Sequence, residues 1–143
     1  MDMIRRTDLM VLAFLAGVFF LSACSEKGTP PPGKTARAPE MPPQWEVASD
    51  ILVPADQIRA MREKLGADIT SVRNTTYDID GKRVQLNVIL VPDAADAENV
   101  MKKLRSMKTE EALLRRNLTI YEFVGRNDVL PLIAEGRKHL ESK

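Results

Sequence analysis

The chain has 143 residues, a formal net charge of +1, 29% charged and 44% hydrophobic residues, and a single cysteine. That length holds one small folded domain beside any targeting segment. The near-neutral balance gives no case for a nucleic-acid partner, and one cysteine excludes an internal disulfide framework.

The first element is a charged-then-apolar leader. Arg5 and Arg6 precede the run Val11-Leu12-Ala13-Phe14-Leu15-Ala16-Gly17-Val18-Phe19-Phe20, which is too short to cross a bilayer as a stable helix and fits an export signal. It closes on Leu21-Ser22-Ala23-Cys24, which resembles the lipobox of bacterial lipoproteins. The resemblance implies a signal peptide over residues 1–23, cleaved after Ala23, and lipidation of Cys24. Diacylglycerol would sit on the thiol and a palmitate-type chain on the new amino group. Each buried methylene contributes about 0.8 kcal/mol, so two or three chains hold a protein on a membrane without a spanning helix. The alternative is an ordinary export signal, or an uncleaved anchor helix, with Cys24 incidental. The lipobox also implies the cell envelope as location. Ser25, where Asp would retain a Gram-negative lipoprotein in the inner membrane, implies the outer membrane, facing the periplasm.

Residues 24–44 read as a tether. Pro30, Pro31, Pro32, Pro39, Pro42 and Pro43 lie among small and charged residues, and proline removes backbone donors and fixes φ. An extended chain of this kind reaches roughly 60 Å over some twenty residues. A docking site for a proline-recognising partner is the alternative.

Residues 45–143 form the predicted domain. A first strand runs over Glu46 to Val53, weakened by Ser49 and Asp50. A helix follows Pro54 and ends at Gly66, a residue suited to the C-cap. Thr70 to Ile79 and Lys82 to Val91 form a hairpin about Asp80-Gly81, a two-residue turn dipeptide. Asp93 is the N-cap of a second helix with Ala94, Ala97, Val100, Met101 and Leu104 as its buried stripe. The motif Ile-Leu-Val-Pro before each helix, at 51–54 and 89–92, suggests a repeat. A short helical turn capped by Thr109 follows, then a strand over Asn117 to Val124. A last helix runs from Asn127-Asp128 to about Leu140, with Pro131 near its start. The expected class is α+β, a ferredoxin-like sandwich with split βαβ order plus a C-terminal helix. Should the first strand fail, a three-stranded sandwich remains.

Strand alternation sets Val84, Leu86, Val88 and Leu90 on one face and Arg83, Gln85 and Asn87 on the other. Grouping Arg73 and Tyr77, and Tyr121 and Phe123, with the polar set yields a candidate interaction face of Arg73, Tyr77, Arg83, Gln85, Asn87, Tyr121 and Phe123. Aromatics among polar groups suit recognition; alternatively the last helix, through Val129, Leu130, Leu132 and Ile133, folds over them as a second small core. From Met101 onward bases outnumber acids, among them Lys102, Lys103, Arg105, Lys108, Arg115, Arg116, Arg126, Arg137 and Lys138. These serve either a negatively charged lipid or partner or, more simply, the solvated sides of helices.

Chemistry-bearing motifs are few. His139 stands near a helix end without an acid–nucleophile arrangement, and no nucleophile-elbow, zinc or phosphate-loop motif occurs. Asp78 and Asp80 flank a turn and lack the later ligands of an EF-hand loop. The expectation is therefore no catalytic residue, no metal and no cofactor. The protein reads as a membrane-anchored envelope lipoprotein acting as a non-catalytic interaction or accessory module, with an envelope protein as partner. The alternative is a periplasmic small-ligand-binding or catalytic domain with its pocket between the sheet and the C-terminal helix.

Overall fold

The computed structural model describes residues 35–143. The expected signal peptide, the lipobox with Cys24 and the first part of the tether lie outside the described residues. The chain order is β1 (Glu46–Leu52), α1 (Ala55–Leu65), β2 (Ser71–Ile79), β3 (Lys82–Leu90), α2 (Ala94–Arg105), β4 (Leu113–Arg116), β5 (Thr119–Val124) and α3 (Leu130–Glu141). Short 3₁₀ turns at Glu110–Ala112 and Asn127–Val129 precede β4 and α3. The class is α+β, with one five-stranded sheet in the order β1-β2-β3-β5-β4 and every neighbouring pair antiparallel. No helix among the described residues is long and apolar enough to cross a membrane.

That order corrects the split βαβ expectation for the first helix. A split unit sets another strand between the two that flank a helix, whereas β1 and β2 are direct antiparallel neighbours. The helix α1 therefore leaves one end of the sheet and returns to that same end, whereas β5 lies between the parallel strands β3 and β4 that flank α2. The composition of β1 explains its position. Glu46, Ser49 and Asp50 are exposed, so the strand cannot be buried on both faces and takes the edge, where charge also discourages pairing with another chain. It is nevertheless a full strand, with a bulge between Val47 and Ser49.

Local signals account for most boundaries. Asp80 and Gly81 hold φ of 53° and 80°, and the Asp78 carboxylate accepts from the Gly81 N–H at 2.9 Å. This is the left-handed geometry that a two-residue hairpin turn requires. Gly66 closes α1 at φ 64° and its N–H donates to the Arg62 carbonyl. Asp93 caps α2 by accepting from the Asp96 N–H at 2.9 Å. The two Ile-Leu-Val-Pro motifs behave alike. In each, the buried valine donates to a neighbouring strand end, Val53 to the Val72 carbonyl and Val91 to the Leu118 carbonyl, and proline then stops the strand before the helix.

One strand is absent from the expectation. Leu113–Arg116, read there as the tail of a helical turn, forms β4 and pairs with β5 across a two-residue turn at Asn117-Leu118. Asn117 takes φ 54°, a left-handed conformation that asparagine tolerates better than most residues.

The sheet has a core on each face. On one, α1 and α2 lay Ile58, Met61, Leu65, Ala97, Val100, Met101 and Leu104 onto Val72, Ile89, Leu113 and Ile120. On the other, α3 brings Val129, Ile133 and Leu140 onto Val84, Leu86, Val88 and Phe123 together with Trp45 and Tyr77. Burying one such large apolar side chain contributes about 1.5–3 kcal/mol.

Candidate functional site

The seven residues expected on one open face divide between two. The two-residue turn pairs odd positions of β2 with even positions of β3, so Tyr77 lies opposite Val84 and Arg73 opposite Val88. On the other side of β3, Phe123 lies opposite Leu86 and Tyr121 opposite Val88. Arg73, Tyr77, Tyr121 and Phe123 therefore share the apolar face. Gln85 and Asn87 point the opposite way, and Arg83, across from Asp78, is exposed. The correction follows from the Asp80-Gly81 turn already recognised in the sequence: once its length is set, cross-strand parity is set with it.

The aromatic residues are covered. Tyr77 and Phe123 are 2% and 1% exposed. The Trp45 ring meets both edge-on, with centroids 5.5 Å from Tyr77 and 6.3 Å from Phe123. Gly136 lets α3 approach so closely that an added Cβ would lie 2.5 Å from Trp45 Cη2 and 3.1 Å from Phe123 Cε1. The space between sheet and C-terminal helix, where a ligand pocket was the alternative expectation, is thus packed here with rings. Burial, followed by the neighbouring Asp50 carboxylate, pushes the Tyr77 hydroxyl up to about 12, against an opposing hydrogen bond from Thr75. Burial likewise raises Tyr121, opposed by Arg116.

Residues 35–44, which the expectation assigned to the tether, are a strap on this same face. Ala36 is buried; its N–H donates to Ser71 Oγ at 3.0 Å and its carbonyl accepts from Arg73 Nε at 2.8 Å. Arg73 Nη1 also donates to Asp50 at 2.9 Å. Farther along, the Glu40 carbonyl lies 3.0 Å from His139 Nε2, and Gln44 Nε2 donates to Glu135 at 2.9 Å. His139, expected as a solvated helix-end residue, is half-buried and holds the strap. Proline excludes a ladder strand here, but not docking of an extended segment through side chains and isolated backbone groups.

The opposite face carries a polar row that the sequence reading missed. Asn74 Nδ2 donates to Asn87 Oδ1 at 2.6 Å, and Asn87 Nδ2 donates to Glu122 Oε1 at 2.6 Å. Gln85 Nε2 also donates to Asn87 Oδ1, at 3.0 Å. Lys108, from the segment after α2, brings Nζ to 3.6 Å from Glu122 Oε2, with side-chain exposures of 9% and 1%. Glu122 Oε2 has no hydrogen bond beyond that ion pair. The signal in the sequence was three amide or carboxyl side chains on strand positions that share parity with Val72, Ile89 and Ile120. Chemically the row is a chain of amides ending on a carboxylate paired with the Lys108 ammonium. Among the described residues no group of three or more His, Cys, Asp and Glu side chains is placed to hold a metal ion.

The basic residues of the second half are largely tied to the domain itself. Arg105 pairs with Glu110, Arg115 with Glu98 and Arg137 with Glu141, and Arg116 donates to the Leu140 carbonyl at 2.8 Å. No protein-family model matches the chain, and neither a curated protein nor a solved structure is significantly similar to it.

Proposed function

We propose that this protein is a lipid-anchored component of the bacterial cell envelope that works without catalysis, as an interaction or accessory module. The observation that carries the reading is Leu21-Ser22-Ala23-Cys24 at the end of a short apolar run behind Arg5 and Arg6. Ser25 places the anchor in the outer membrane, with the domain in the periplasm, where the source is Gram-negative. An envelope protein is the partner. Supporting the non-catalytic part, the Asn74–Asn87–Glu122–Lys108 row and the strap contacts use their polar side chains on one another.

Metabolic labelling with palmitate tests the anchor. Label should enter the wild-type chain and be lost in Cys24→Ala, which should remain unprocessed while its domain folds as before. Label persisting in Cys24→Ala overturns the assignment. Photo-crosslinking tests the module. Probes belong at Val47 and Arg83, both exposed, since Tyr121 and Phe123 lie in the face under α3. Reproducible capture of one envelope protein supports the reading; turnover of a small molecule by the purified domain overturns it.

A further inference from the structure

We propose that the docked strap determines which end of the domain faces the bilayer: the end formed by Ser71, Leu90, Thr119 and the last turn of α3. This rests on the lipid-anchor reading above. The described chain enters the domain at that end, because Ala36 is clamped to Ser71 and Arg73 at the start of β2. The C-terminus lies there too, through Lys143 to Glu40 and Arg116 to the Leu140 carbonyl.

Between Cys24 and Thr35 stand residues 25–34, so the two ends lie at most about 40 Å apart even when fully extended. The nine-residue strands β2 and β3 are themselves about 30 Å long. Laying the Asp80-Gly81 turn on the bilayer would therefore use most of the tether, drawn straight along the domain. Slacker arrangements bring the strap end closer to the lipid than the turn end on average. Had residues 35–44 been free, the tether would be about twice as long and would join the domain at Trp45, and this bias would be weak. Charge does not decide the matter. The proximal end carries Asp56 and Asp93 beside Lys138 and Lys143, and mixed signs give anionic lipid little net hold. The far end presents Arg83 and the two exposed large apolar side chains, Val47 at 61% and Leu130 at 50%, away from the lipid.

The test uses the full lipidated chain in phosphatidylethanolamine–phosphatidylglycerol vesicles carrying a headgroup quencher. Since lipid occupies the only native cysteine, Lys138→Cys and Arg83→Cys each accept a single dye. Quenching at position 138 should exceed that at 83 several-fold and persist at high salt. Ser71→Ala with Arg73→Ala, which releases Ala36, should shrink the difference. Equal or reversed quenching overturns the proposal, as does a difference that vanishes with salt or survives release of Ala36 undiminished. Failure of the anchor reading looks different: the protein takes up no palmitate and does not float with the vesicles, which withdraws anchor and orientation together.

Discussion

The two faces of this sheet are built in different ways. The face under α1 and α2 is aliphatic, and each of its helices follows a strand of the sheet directly, at an Ile-Leu-Val-Pro motif. The face under α3 is aromatic, and it is closed by segments from both ends of the described chain, the strap at 35–45 and the helix at 130–141. The first is local in sequence and recoverable from periodicity. The second exists only once distant segments meet, and its stability depends on a few large contacts about Trp45, Phe123 and Gly136. A polar row is confined to the aliphatic side, where it crosses three strands.

Truncation in each core sharpens the contrast most. Phe123→Ala should cost about 3–5 kcal/mol and Leu104→Ala about 2–5 kcal/mol in urea unfolding. Hydrogen exchange should distinguish them. Phe123→Ala should loosen strap and α3 while α1 and α2 stay protected; uniform loss of protection would show that the two cores are one cooperative unit. Lys108→Met strands a carboxylate that is 1% exposed, an expected loss of about 3–5 kcal/mol. Adding Glu122→Gln should recover most of it, and a double variant as unstable as the single one would break the account of the row.

Alkaline pH addresses the aromatic face. The Tyr77 hydroxyl is raised from 10 to about 12 in the folded protein, so the unfolded chain loses its proton first. The corresponding stability is whole below pH 10 and drains away as pH climbs to about 12, by about 2–3 kcal/mol. Thermal unfolding of Tyr77→Phe across that range should lose this component of the slope. The smallest effect expected is for Gly136→Ala. Its methyl would press on the Trp45 ring and cost about 1–3 kcal/mol, read as a lowered urea midpoint. A gain in stability there would mean that α3 and the strap adjust freely.

Much of this was legible in the residues. Asp80-Gly81, Gly66 and Asp93 each carry a backbone or capping preference strong enough to act locally, and the structure uses all three. The short hairpin at Asn117 escaped because Leu113-Leu114-Arg115-Arg116 is a few residues long and lacks the alternation of a longer strand. The candidate face failed for another reason. The three strands that carry it are where the sequence puts them, but alternation within a strand does not give the cross-strand register, and a shift of one residue moves every side chain to the other side.

By itself the sequence determined the leader pattern ending at Cys24, the α+β class and the positions of the helices and long strands, because these follow from composition, periodicity and preferences acting over a few residues. Only the tertiary structure decided that β1 lies at the edge beside β2, that residues 35–44 dock instead of trailing free, and that Asn74, Asn87, Glu122 and Lys108 meet. Those outcomes depend on contacts between residues up to about a hundred positions apart, where shape and register, and not local preference, select the partner.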